Sequence, residues 1–153
     1  MPTLAELAVE EESTFLRDIA ESRGWRLREI DKLHFVLSLP ASDNSLFHLF
    51  AECDDYPIKP PAWHWCDSEG RGCDKRVNAP AGSDFLHPNG VVCAPWNRLS
   101  YQTIDPRGPH ADWVIADWRS NPKTGGCKNL SAMVLRIYVE LIGPHYHKGH
   151  LAA

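Results

Sequence analysis

Cys93 closes the stretch Phe85-Leu86-His87-Pro88-Asn89-Gly90-Val91-Val92-Cys93, which places a thiol just past a proline-asparagine-glycine reversal. A thiolate attacks carbonyl carbon readily, so a nucleophile for acyl chemistry belongs at such a position. Pro88 fixes its own φ and biases His87 toward extended geometry, while Asn89-Gly90 suits positive backbone angles. The corner before the thiol is therefore rigid, and a neighbouring imidazole would favour the thiolate. The competing reading of Cys93 is a small buried hydrophobe behind two valines.

Other residues permit different chemistry. His64, Cys66 and Cys73 offer ligands of the kind zinc takes, with Cys53, Cys93 or Cys127 as a fourth. His64 and Cys66 would share one strand face, but Cys73 falls in a loop and no Cys-x-x-Cys pair exists. The segment Pro109-His110-Ala111-Asp112 could fold over Cys93 as a Cys-His-Asp relay for hydrolysis; His110 is read instead as a surface-loop histidine. Trp25 and Trp65 are read as core, and Trp96 stays open between core and partner groove.

The elements that must position these residues are legible from periodicity. Thr3 and Glu6 stand in capping-box spacing ahead of Leu4, Leu7, Ala8, Phe15, Leu16 and Ile19, which predicts an amphipathic helix over 4–22 that Gly24 stops. Strand-like runs at 25–30, 33–39 and 46–51, separated by short turns, predict an antiparallel meander, and a fourth run follows at 62–66. Before that fourth run, Pro57, Pro60 and Pro61 make a stiff crossing. Residues 67–84 are expected to be an exposed loop and 94–128 irregular structure anchored by aromatics. Leu130, Met133, Val134, Ile137, Tyr138 and Leu141 recur at the spacing of an apolar helix face that Gly143-Pro144 ends. The histidine-bearing tail, 144–153, is expected to be flexible. Together these predict one α+β domain over 1–153, with an N-terminal helix, a four-stranded antiparallel meander, an active-site loop and a C-terminal helix.

Composition narrows the function classes. The chain has 153 residues, 43% hydrophobic and 24% charged, an ordinary globular composition with enough length for its own core. Its net charge of −4 argues against phosphate-backbone binding, so no nucleic-acid partner is expected. No long apolar run exists, and Glu6, Glu10, Glu11 and Glu12 stand where a signal peptide would be basic and then apolar, so the expectation is a cytoplasmic protein without a membrane partner. Five scattered cysteines read as reduced thiols rather than a disulfide framework.

The layout, together with Tyr56-Pro57-Ile58-Lys59-Pro60-Pro61 and His87-Pro88-Asn89 before Cys93, resembles the ubiquitin-conjugating enzyme (UBC-like) fold in its divergent prokaryotic members. The resemblance implies a transferase in which Cys93 accepts the carboxy-terminal glycine of a ubiquitin-like modifier from an activating enzyme, holds it as a thioester and passes it to a target protein. No cofactor is implied. It implies that Asn89 stabilises the oxyanion or braces the loop, and that His87, with Pro88 and Gly90, supports the turn. Asp112 and Asp117 become candidates by position for the family's acidic gate. Bacterial antiviral defence is the setting such relatives suggest. The chain departs from the family pattern in that only Gly90, Val91 and Val92 separate Asn89 from Cys93, about half the usual interval. Four extended residues span roughly 13 Å, so the Asn89 amide reaches the thiol only if the turn folds it back. The alternatives are a catalytically silent binding module of the same fold, and a zinc-binding or cysteine-hydrolase domain.

Overall fold

Capping and glycine chemistry set the first element. In the computed structural model, which describes residues 1–151, helix α1 (Leu4–Arg23) opens on the reciprocal Thr3–Glu6 capping box and ends at Gly24 with φ +70°. Strands β1 (Arg26–Glu29), β2 (His34–Pro40), β3 (Leu46–Glu52) and β4 (Ala62–Cys66) follow in one antiparallel sheet of order β1-β2-β3-β4. The register pairs Leu37 with Leu49 and Leu49 with Trp65, so the period-2 alternation puts Phe35, Leu37, Leu39, Phe47, Leu49, Ala51, Trp63 and Trp65 on one buried face.

That face is closed by α1 and by helix α2 (Leu130–Leu141). Val9, Leu16 and Ala20 from the first and Leu130, Met133, Val134, Ile137 and Leu141 from the second join the sheet in one apolar cluster. The predicted α+β layout, with both helices and the four-stranded meander, is the one observed. A single carboxylate ties the layers together. Glu12 on α1 accepts the Tyr56 hydroxyl at 2.8 Å and the backbone N–H of Leu130, the first residue of α2, at 2.6 Å. The Tyr56-Pro57 peptide of the crossing is cis, and the Trp118 indole N–H donates to the carbonyls of Pro57 and Ile58.

Two further strand pairs lie beyond the meander. Strand β5 (Pro80–Gly82) pairs with β8 (Tyr146–His150), and β6 (Leu86–His87) pairs with β7 (Val91–Val92). The first pair corrects the expectation of a flexible tail over 144–153. Tyr146 is buried, its hydroxyl donates to Asp43, and the Leu151 N–H reaches the Ala79 carbonyl at 2.8 Å. The last residues of that stretch, 152–153, lie outside the described residues. The 67–84 loop is largely exposed through 68–77, as expected, but it is tied to the sheet where Arg28 donates to the Glu69 carbonyl and the Asp74 N–H to that of Trp65, and its stretch 79–82 is mostly buried and carries β5. Among the described residues, no helix is long and apolar enough to cross a membrane.

Candidate active site

Cys93 leaves the β6–β7 hairpin directly. The Gly90 N–H closes a turn on the His87 carbonyl at 2.9 Å, Pro88 takes its second position, and Gly90 carries the positive φ of +86°. This is the geometry of a three-residue hairpin loop built on a turn followed by a left-handed glycine. Of the two residues expected to tolerate positive angles, Gly90 alone uses one; Asn89 does not. His87 supports the turn through Nδ1, which accepts the Asn89 N–H at 3.1 Å. Arg76 donates to the Pro88 carbonyl at 3.2 Å, and the Cys93 N–H donates to that of Phe85 at 2.8 Å.

Beyond the thiol, a buried polar knot surrounds one short 3-10 turn, Arg98–Ser100, which Asn97 caps. The Asn97 amide donates to the Val92 carbonyl and accepts the N–H groups of Trp63 and Leu99, so it fastens the cysteine-bearing hairpin to β4. The Ser100 hydroxyl donates to Val92 at 2.7 Å and accepts the Ala94 N–H at 3.0 Å. Both side chains are fully enclosed, where polar groups are tolerated only when paired. Ser100 also reaches in the other direction. Its carbonyl accepts the His110 N–H, and the His110 carbonyl accepts the N–H of Gln102. One residue thereby places both Cys93 and His110.

The consequence corrects the reading of His110 as a surface-loop histidine. Its Nε2 lies 3.3 Å from Cys93 Sγ, and its ring stacks on Trp113 with centroids 3.4 Å apart and planes 6° from parallel. Asp112 Oδ1 approaches Nδ1 at 3.4 Å from a side chain that is 81% exposed. The thiol is half-buried, and burial, with a smaller contribution from Asp84 and an opposing one from Lys123, pushes its pKa up to about 11. The thiol is therefore largely protonated at neutral pH, so attack at Cys93 calls for a base to take the proton.

The sulfur opens on a cavity of about 460 Å³ walled by Phe85, Pro95, Trp96, Pro109 and Trp113. Its rim carries the charged Asp84, Lys123, Arg136 and Glu140 and the imidazoles of His87 and His145. Arg136 pairs with Glu140 at 2.6 Å and lies over the Phe85 ring, and His145 pairs with Asp84 at 3.3 Å. Neither Asp112 nor Asp117 lines this cavity. The Asn89 amide donates to the Arg107 carbonyl at 3.1 Å, so the contact it makes is the bracing one. Arg107 is held in turn by Asp105, and lies 3.2 Å from Asp74, whose other oxygen meets His64.

His64 explains why the suggested zinc trio is not assembled. Its two ring nitrogens face Asp74 at 2.8 Å and Glu52 at 2.6 Å, and although burial opposes protonation, these two carboxylates raise its pKa overall. The buried Cys66 thiol points to the His48 carbonyl, and Cys73 is exposed near that of Gly70. Among the described residues, the one group with metal-ligand spacing is His34, Glu52 and Asp54, outside that trio.

Sequence reasoning had no signal for Asn97 and Ser100, because no motif or periodicity marks two polar residues that the fold encloses. Gly108 is a further residue whose role only the structure shows. A Cβ there would lie 2.7 Å from the Tyr101 carbonyl carbon and 2.9 Å from the Gln102 nitrogen, both backbone atoms that cannot swing aside. Gly108→Ala is expected to cost about 1–3 kcal/mol by overpacking and to move His110 off the thiol. Urea unfolding measures the first effect, and the rate of Cys93 alkylation at neutral pH measures the second. Unchanged values for both would show that the loop has slack. No family model, curated protein or solved structure matches this chain.

Proposed function

We propose that the protein carries the C-terminal acyl group of a ubiquitin-like protein as a thioester on Cys93, accepting it from an activating enzyme and passing it to an amine of a target protein. The observation that carries the reading is a half-buried thiol at the end of a rigid hairpin, opening on a cavity with an imidazole in reach. The element order, helix, antiparallel sheet, proline-rich crossing, cysteine-bearing hairpin, helix, resembles that of ubiquitin-conjugating enzymes and supports the same reading. In loading, the bond from Cys93 Sγ to the acyl carbon forms as the bond from the activating enzyme's sulfur breaks. The Cys93 proton ends on the departing sulfur. In discharge, an amine nitrogen takes the acyl group and Cys93 recovers a proton. A partner set of modifier, activating enzyme and target, in the cytoplasm of a bacterium under viral attack, fits this chemistry.

Incubation with a cognate activating enzyme, modifier and ATP tests the reading. The expected product is an adduct cleaved by dithiothreitol on the wild type, a reductant-stable ester on Cys93→Ser and none on Cys93→Ala. Failure of the wild type to form an adduct with active partners would overturn it in favour of a binding module of this fold. A second reading is favoured by the His110 and Asp112 distances, which suit a cysteine hydrolase. Both readings share an acyl group on sulfur and differ in whether water or an amine releases it, so cleavage of the modifier's tail with no lasting adduct would select the hydrolase.

A further inference from the structure

We infer that His110 is the general base for both halves of acyl transfer at Cys93, standing where no acidic side chain reaches the sulfur. Among the described residues, its Nε2 is the sole hydrogen-bonding group in reach of Sγ. The backbone N–H groups of Cys93 and Ala94 are occupied by the Phe85 carbonyl and the Ser100 hydroxyl, and the Asn89 amide by Arg107. The ring is also held more firmly than a surface histidine requires. Its backbone is clamped to Ser100 and Gln102 on both sides, its plane lies flat on Trp113, and Trp113 packs on the buried Tyr101. Asp112 at Nδ1 favours the tautomer with the proton on that nitrogen, which turns the Nε2 lone pair toward the thiol.

The step balances. In loading, the S–H proton of Cys93 moves to Nε2 as sulfur attacks the incoming thioester, and the imidazolium returns it to the leaving thiolate. In discharge, the attacking amine gives its proton to Nε2 as the nitrogen–carbon bond forms, and the departing Cys93 sulfur takes it back. The charges that bear on this transfer are Asp84, Lys123, Arg136 and Glu140 on the rim and Asp112 outside it; burial holds the rim imidazole of His87 toward its neutral form, and His145 is the remaining titratable group there.

This role rests on the thioester reading for its substrate, but a small electrophile separates the two. The full chain is treated with iodoacetamide between about pH 6 and about pH 11, spanning the thiol range, and the Cys93 peptide is followed by mass so that exposed Cys73 does not interfere. The wild type is expected to react at neutral pH. His110→Ala and His110→Gln should react about 100-fold more slowly there and converge on the wild type near pH 11, where the thiol ionises unaided. Gln keeps polar contacts without proton transfer, so loss in both variants, with unchanged circular dichroism, marks a base rather than a prop. Superimposable pH profiles for wild type and variants would overturn the role. Alkylation that depends on His110 in a protein forming no adduct would retire the modifier reading alone; adducts that load and discharge equally fast without His110 would retire the base alone.

Discussion

Asn97→Ala is expected to destabilise the protein by about 4 kcal/mol and to lower its melting temperature by about 10 °C. The amide is fully enclosed and joins three backbone segments: it accepts Trp63 N–H from β4 at 2.9 Å and Leu99 N–H at 3.2 Å, and donates to Val92 at 2.8 Å. Alanine strands two donors away from water, each at about 1–3 kcal/mol. Val92 fares better, because the Ser100 hydroxyl still reaches its carbonyl. The hairpin bearing Cys93 would lose its fastening to the sheet, so Cys93 alkylation at neutral pH should fall along with stability. Asn97→Asp keeps both acceptor contacts but loses the donor and buries a charge, and is expected to rescue little. A melting temperature within about 2 °C of the wild type for Asn97→Ala would show that the knot is not what holds the hairpin.

The sheet and both long helices are legible because their signals are local and repetitive. Thr3 with Glu6 marks the start of α1, inward Leu37, Leu49 and Trp65 alternate with outward neighbours, and Leu130 to Leu141 keep helical spacing. The thiol corner is legible for the same reason, since proline, asparagine and glycine each carry a backbone meaning. His110 was not. It lies 17 residues from Cys93, and the contact between them is made by the carbonyl of Ser100 and the N–H of Gln102, groups every residue possesses. No periodicity announces such a clamp.

The C-terminal strand escaped for a related reason. Tyr146-His147-Lys148-Gly149-His150 holds one buried anchor, and its partner Pro80-Ala81-Gly82 carries two residues that ordinarily interrupt strands. Pairing here is decided by Tyr146 packing on Phe47 and by Gly82, where a Cβ would meet Leu86 at 2.5 Å. Tertiary context overrides propensity in both strands. The same holds for the acid-gate candidates, which were placed by chain position alone and lie off the cavity wall.

Glu12→Ala should cost about 4 kcal/mol although the residue lies far from Cys93 in sequence and on the first helix. Its carboxylate receives the hydroxyl of Tyr56, a residue 1% exposed, and the first N–H of α2, which no residue of that helix can satisfy. The helix cap at Asn129 serves Ala132 instead, so it cannot take over. Removing the carboxylate strands two donors, each charge-assisted bond contributing about 1.5–3 kcal/mol, and removes a negative charge from a helix N-terminus. Glu12→Gln retains one carbonyl acceptor without the charge and should cost about 1–2 kcal/mol. Tyr56→Phe deletes one partner cleanly, so a double-mutant cycle with Glu12→Gln in urea separates the hydroxyl contact from the helix contact. Because α2 carries Arg136 and Glu140 on the rim of the cavity, loosening its first turn is also expected to change access to the thiol. A cost of less than about 1 kcal/mol for Glu12→Ala would mean that water replaces the carboxylate, and that the crossing and the two helices are held by apolar packing alone.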